Sequence, residues 1–151
     1  DTDRSRGLGD VYKRQGFEAL EKLSAEAKKY IAPLPIDYEP DEEAAGMFGL
    51  MMMTSGKHAD PENVAKAQAL KDATMGWFIA QNLKSKFVHL NGNYHSDFKK
   101  GIITYLNKYR PGLKIATVCS VRQDDIKKLG EENEGRADFY ICVPTDMTMT
   151  Y

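Results

Sequence analysis

Apolar residues recur at three- and four-residue steps along Phe17, Leu20, Leu23, Ala27, Tyr30 and Ile31, which predicts an amphipathic helix over residues 17–31. Pro33 and Pro35 end it, and residues 32–40 are expected to be extended, because each proline disfavours helix in the residue before it. Asp41-Glu42-Glu43 reads as the start of a second helix, its carboxylates facing the positive end of the dipole. That helix carries Met47, Phe48, Leu50, Met51, Met52 and Met53, a face that can repack around a flat apolar ligand but more often is core or an inter-helix contact. Asp60 then caps, Pro61 suits the first helical position, and a long helix is predicted over 61–83 with Val64, Ala67, Leu70, Thr74, Trp77, Phe78 and Gln81 as its stripe.

The pattern changes at residues 86–95, KFVHLNGNYH. Phe87, Val88 and Leu90 form a short strand-forming run, and Asn91-Gly92-Asn93 breaks it with residues that tolerate turns and positive φ. Tyr94 and His95 follow, then Ser96-Asp97, either of which can cap a helix carrying Phe98, Ile102, Tyr105, Leu106 and Tyr109. Arg110-Pro111-Gly112 stops that helix. Residues 113–121 are nearly all apolar, as in a strand covered on both faces, residues 124–132 read as a short charged helix, and ADFYICV at 137–143 reads as another strand. Strands separated by helices imply right-handed crossovers. The expected fold is α/β: a parallel sheet with flanking helices and three visible strands, plus a small helical subdomain, as part of a larger α/β domain. Residues 16–83 form the helical subdomain and 84–151 the carboxyl-terminal half of the α/β domain.

Composition narrows the function. Twenty-one basic against twenty-two acidic residues leave a formal charge of −1, so no excess of positive charge points to nucleic acid as a partner. Cys119 and Cys142 fall in two predicted strands without CxxC spacing and read as small buried residues. The longest apolar run, extended through glycines, is 46–53, well short of the ~20 residues that cross a bilayer. The string SRGLGDVYKRQ resembles translated adapter sequence, so residues 1–15 are read as a non-native or disordered leader and the chain as the carboxyl-terminal portion of a longer protein.

In open α/β sheets, ligands bind in the crevice beyond the carboxyl ends of the strands, and that is where Tyr94 and His95 are expected. A Gly-x-x-His spacing such as Gly92 to His95 also arises by chance, and a histidine beside a helix start is often only a hydrogen-bonding loop residue. Gln68, Asp72 and Met75 lie on adjacent turns of the long helix and can face one region, although Asp72 reads equally well as a solvated surface charge. His89 alternates along the predicted strand and His58 lies in a loop.

Three segments together resemble one family. AQALKDATMGWFIAQNL, residues 67–83, is similar to the Gln-x-x-x-Asp-x-x-Met-(Ala/Gly) helix of the ChaN-type haem-binding uptake lipoproteins. FVHLNGNYH, residues 87–95, resembles that family's strand ending in Gly-Asn-x-His, and KKGIITYLNKYRPGLKIATV resembles its following helix, proline stop and strand. The resemblance covers about residues 23–143. It implies a haem-related protein of the bacterial cell envelope, anchored by a lipid outside these residues, with haem at a homodimer interface, the iron ligated by a tyrosine and a propionate bonded by a histidine. The implied cofactor residues are His95, Tyr94, Gly92, Asn93, Asp72, Gln68 and Met75. Tyr94 is the expected iron ligand by its proximity to His95, with Tyr30, Tyr38, Tyr105 and Tyr109 as competitors.

A phenolate is a hard anionic ligand suited to ferric iron, and an imidazole can donate to a propionate. Met51, Met52, Met75, Trp77 and Phe78 are candidate walls for the macrocycle. The alternative is a metal-dependent or esterase-like hydrolase in which His95 is a zinc ligand or general base and Asp72 orients it. The family's amino-terminal Gly-Glu-x-His strand has no counterpart in this sequence.

Overall fold

The computed structural model describes residues 16–40, 46, 50 and 60–148, and divides into two compact units, Asp1–Phe78 and Ile79–Tyr151. In the first unit the expected helix over 17–31 is two short turns, α1 (Glu18–Glu21) and α2 (Ala25–Lys28). The break is local chemistry: Ser24 takes an extended conformation, φ −60° and ψ 156°, and its hydroxyl accepts the Ala27 amide at 3.1 Å, capping a new helix. Leu20 and Ile31 keep their predicted burial while Tyr30 turns outward. Residues 32–40 are free of helix, as the prolines require.

Helix α3 (Pro61–Asn82) starts as its sequence predicts. The Asp60 carboxylate accepts the Glu62 amide at 2.9 Å, and its carbonyl accepts Val64 N at 3.0 Å. Val64, Ala67, Leu70 and Ala73 bury one side of it, and the Thr74 hydroxyl accepts the Ala32 amide at 3.1 Å, tying the proline segment to the helix. Of the methionine-rich second helix only Gly46 and Leu50 are described, both helical, so the expected apolar face lies outside the described residues.

In the second unit, Arg110 closes the end of α3: its Nη1 donates to the carbonyls of Ala80 at 3.2 Å and Leu83 at 2.7 Å, two groups a helix end leaves unpaired. Helix α4 (Ile102–Tyr109) buries Ile102, Tyr105 and Leu106. Strands β1 (Val118–Arg122) and β2 (Phe139–Val143) pair in parallel, with Val118 opposite Phe139 and Arg122 opposite Val143. The α/β class and the parallel sheet are as expected.

Three expectations change. Residues 86–90 form no regular element and pair with no described strand, and Val88 and Leu90 are 83% and 89% exposed. The ladder explains why. Thr117 O and Gln123 N bond β2, so Ser120, of opposite parity, points its carbonyl to the other edge of β1. There the Asn93 side-chain amide donates to it at 2.8 Å, where the amide of a third strand would sit.

Among the described residues the sheet is also covered on one face only. Cys119 and Val121 are buried, while Val118, Phe139 and Ile141 are exposed on the other side. The charged segment expected as a helix over 124–132 is a loop up to Gly130, wound round the buried Gln123 side chain, and ends in a single 3₁₀ turn, Glu131–Asn133. Gln123 accepts the Gly130 amide at 3.1 Å and donates to the carbonyls of Lys128, at 2.6 Å, and Asp125.

Cys119 and Cys142 share the buried face as diagonal neighbours, since Cys142 pairs with Val121. Strands ~4.8 Å apart with a two-residue offset place such Cα atoms about 8 Å apart, beyond the ~7 Å a disulfide can bridge. Both thiols are free.

Candidate functional site

The turn between residues 91 and 101 carries the predicted pair. It is built of two single 3₁₀ turns, Asn93–His95 and Asp97–Lys99, where a longer helix starting at Ser96-Asp97 was expected. Neither Ser96 nor Asp97 caps a helix: Ser96 makes no side-chain cap, and Asp97 turns its carboxylate to Arg136. Phe98 and Lys99 both have φ 56°, the left-handed region that costs a non-glycine residue about 1–3 kcal/mol. Gly92, expected to supply that freedom, has φ −68°, open to any residue, and nothing lies within 4 Å of where a Cβ would stand.

What holds the strained turn is a set of bonds at intervals along it. Asn91 Nδ2 donates to Ser96 Oγ at 3.0 Å, and Asn93 Nδ2 to Ser120 O. The Asp97 Oδ2 oxygen accepts Arg136 Nε at 3.0 Å and Nη2 at 2.6 Å, while its Oδ1 faces the Cys119 thiol at 3.6 Å. Burial, with the Asp97 carboxylate beside it, pushes the Cys119 thiol up from its ordinary range. The Phe98 amide donates to Arg136 O at 2.8 Å, and Lys99 Nζ meets Asp138 Oδ1 at 2.7 Å.

Asp138 also joins the strand starts, accepting the Thr117 amide at 2.9 Å and hydroxyl at 3.0 Å on Oδ2. The Lys99 ammonium, with the Thr117 bonds behind it, lowers the Asp138 carboxyl to about 2. A depressed folded-state value means the contribution is complete above the unfolded carboxyl's ~3.9 and is lost as pH falls from there towards 2. Asp138→Asn should therefore flatten the acid-unfolding profile between those limits, followed by circular dichroism. An unchanged profile would show that the carboxylate adds nothing to folding.

Between the Asn93 and Asp97 attachments sit Tyr94, 39% exposed, and His95, half-buried, their rings edge to face at 5.5 Å between centroids and 77° between planes. The remaining tyrosines have other surroundings. Tyr105 is buried and stacks on Tyr109 at 6.4 Å with the Lys108 ammonium 5.8 Å from its ring, and Tyr38 packs against Phe17. His89 is exposed in the stretch 86–90, and His58, Met51 and Met52 lie outside the described residues.

In the first unit, Asp72 is 4% exposed, which removes its reading as a solvated surface charge. Gln68 accepts Lys71 Nζ at 3.2 Å, and Met75 and Trp77 are half-buried. The structure thus gathers Gly92, Asn93, Tyr94 and His95 in one turn, and Gln68, Asp72 and Met75 on α3 in the other unit. Arg136 was missed in sequence: it lies 39 residues from Asp97, and no local pattern marks the pair. Among the described residues no three His, Cys, Asp or Glu side chains converge to hold a metal ion, and no helix is long and apolar enough to cross a membrane.

A family model described as haem-binding uptake, Tiki superfamily, ChaN, matches residues 5–106. The chain belongs to the ChaN family. Its general function is accordingly haem-binding and uptake-related. The match begins at residue 5, within the stretch whose sequence reads as a leader, and takes in the Tyr94–His95 turn, Gln68, Asp72 and Met75, but it ends before β1, Arg136 and β2. No curated protein and no solved structure matches the chain significantly.

The turn suits the family's ligand chemically. A partly exposed phenol beside an imidazole has the chemistry of one oxygen ligand for ferric iron and one nitrogen donor for a carboxylate. Exposed Phe87, Val88, Leu90 and Phe98 lie in the same unit and offer apolar surface for a porphyrin.

Proposed function

We propose that this ChaN-family chain holds haem through Tyr94 and His95, the Tyr94 phenolate ligating the iron and the His95 imidazole donating to a propionate, and that it serves haem uptake in the bacterial cell envelope, lipid-anchored, with haem at a homodimer interface. One observation carries the site assignment: a phenol and an imidazole in edge contact on one tethered turn inside the family-matched residues. The open space at Gly92 supports it, since a flat ligand can approach that backbone without meeting a side chain. Gln68, Asp72 and Met75, in the first unit, are proposed as cofactor residues by their place in the family's helix alone, and the burial of Asp72 supports a role beyond surface charge. When bound, haem supplies the redox-active iron. The residues' part is to bind and orient it.

The test is a hemin titration of the whole chain followed in the Soret region. The native chain should give a shifted Soret band saturating at a fixed stoichiometry. His95→Ala should weaken binding by about 10–100-fold, as expected for loss of one charge-assisted contact worth roughly 1.5–3 kcal/mol. Hemin dimethyl ester, which lacks the propionate charges, should bind the native chain and His95→Ala equally. A native chain that leaves the hemin spectrum unchanged would remove the proposal, and equal hemin affinity in the two proteins would remove His95 from the site.

A further inference from the structure

We infer that Arg136 is a positioning residue for the haem-binding turn, acting through Asp97 two residues beyond His95; the inference rests on the haem reading of Tyr94 and His95. The turn has no helix or sheet ladder of its own to fix it, and its two 3₁₀ pieces are single turns. Its geometry is imposed from outside: Lys99 is held by Asp138, and two further attachments bracket the pair. On one side Asn93 holds the β1 carbonyl of Ser120 at 2.8 Å. On the other, Arg136 takes the Asp97 carboxylate with two nitrogens and at the same time accepts the Phe98 amide on its own carbonyl at 2.8 Å.

Arg136 thus grips the turn by side chain and backbone together, and it does so where Phe98 and Lys99 stand at positive φ. Its side chain is itself fixed: Nη1 donates to Asn133 Oδ1 at 2.8 Å, and Asn133 is buried against Gln123. The ion pair is largely covered, with side chains 24% and 17% exposed. A planar fork with its nitrogens already placed holds the carboxylate in one orientation, which a flexible ammonium cannot do. The direction of the Tyr94–His95 pair therefore depends on a residue that acts through Asp97 and Phe98 and lies beyond the family-matched stretch.

Arg136→Met and Arg136→Lys in the whole chain separate this from a merely structural role. Arg136→Met should weaken hemin binding by about 10–100-fold, the effect of losing an outer-shell partner, and should shift the visible bands that report the iron's ligands. Arg136→Lys, which keeps the charge without the fork, should recover part of the affinity and the native bands. Native affinity and native bands in both variants would overturn the inference, whatever their melting temperatures.

Should Arg136→Met fail to fold, Asp97→Asn takes its place with the same expected loss, and native hemin binding in it is equally fatal. If the native chain takes up no hemin, the haem reading falls alone. The positioning role is then decided by the Tyr94 and His95 ring resonances in NMR spectra, which should move in Arg136→Met and overturn the role if they do not.

Discussion

Tyr94→Phe should abolish the phenolate-to-iron charge-transfer absorption of the hemin complex and weaken binding by at least about tenfold, since even an outer-shell partner is worth 10–100-fold and this group touches the iron. The substitution removes one oxygen and keeps the ring, so the edge contact with His95 at 5.5 Å survives and the turn keeps its tethers at Asn93 and Asp97. With the ring 39% exposed, little folding free energy depends on it. The loss should accordingly appear in affinity and spectrum without a matching fall in melting temperature. Tyr105→Phe is the control: that ring is buried and stacked on Tyr109, and its variant should keep the native bands. Charge-transfer absorption that persists in Tyr94→Phe and vanishes in another tyrosine variant would transfer the ligand role.

What the sequence makes legible here is whatever neighbouring residues decide among themselves. Asp60-Pro61 marks the start of α3 because the cap and the first helical position are one residue apart, and the bonds form as their chemistry requires. The break between α1 and α2 was equally local. Ser24, with Glu26 in the turn it caps, is a helix-start signal that the apolar period over residues 17–31 masked.

The unpaired stretch 86–90 is a different case. Phe87, Val88 and Leu90 have the composition of a strand, but a strand is stabilised by its neighbours, and the edge of β1 it would join is engaged at Ser120 by the Asn93 side chain. Nothing in FVHLNGN announces that. The site divides along the same line. Tyr94 and His95 stand out in the sequence as candidates because they follow a turn signal and a family-like pattern. The left-handed Phe98 and Lys99, with no glycine or asparagine at either position to suggest them, are held by Arg136 and Asp138, which both lie more than thirty residues downstream.

Leu106→Ala should cost about 2–5 kcal/mol, the range for truncating a buried leucine, and at roughly 2–4 °C per kcal/mol for a chain of this size the melting temperature should fall by about 4–20 °C. Helix α4 has eight residues, too few to persist in water on propensity alone, so it depends on the side chains it buries. Those are Ile102, Tyr105 and Leu106, and removing the leucine leaves a cavity where backbone relaxation is limited by the Arg110 bonds at its end. The exposed neighbour Asn107 sets the baseline, since Asn107→Ala should stay within ~0.5 kcal/mol. A functional consequence follows from chain order: α4 begins three residues after Lys99, so loosening it frees the carboxyl end of the strained turn. Hemin affinity in Leu106→Ala should then fall at temperatures well below its melting point, with the Asn107→Ala titration unchanged. A Leu106→Ala chain that melts like Asn107→Ala would mean that α4 is not held by its buried face.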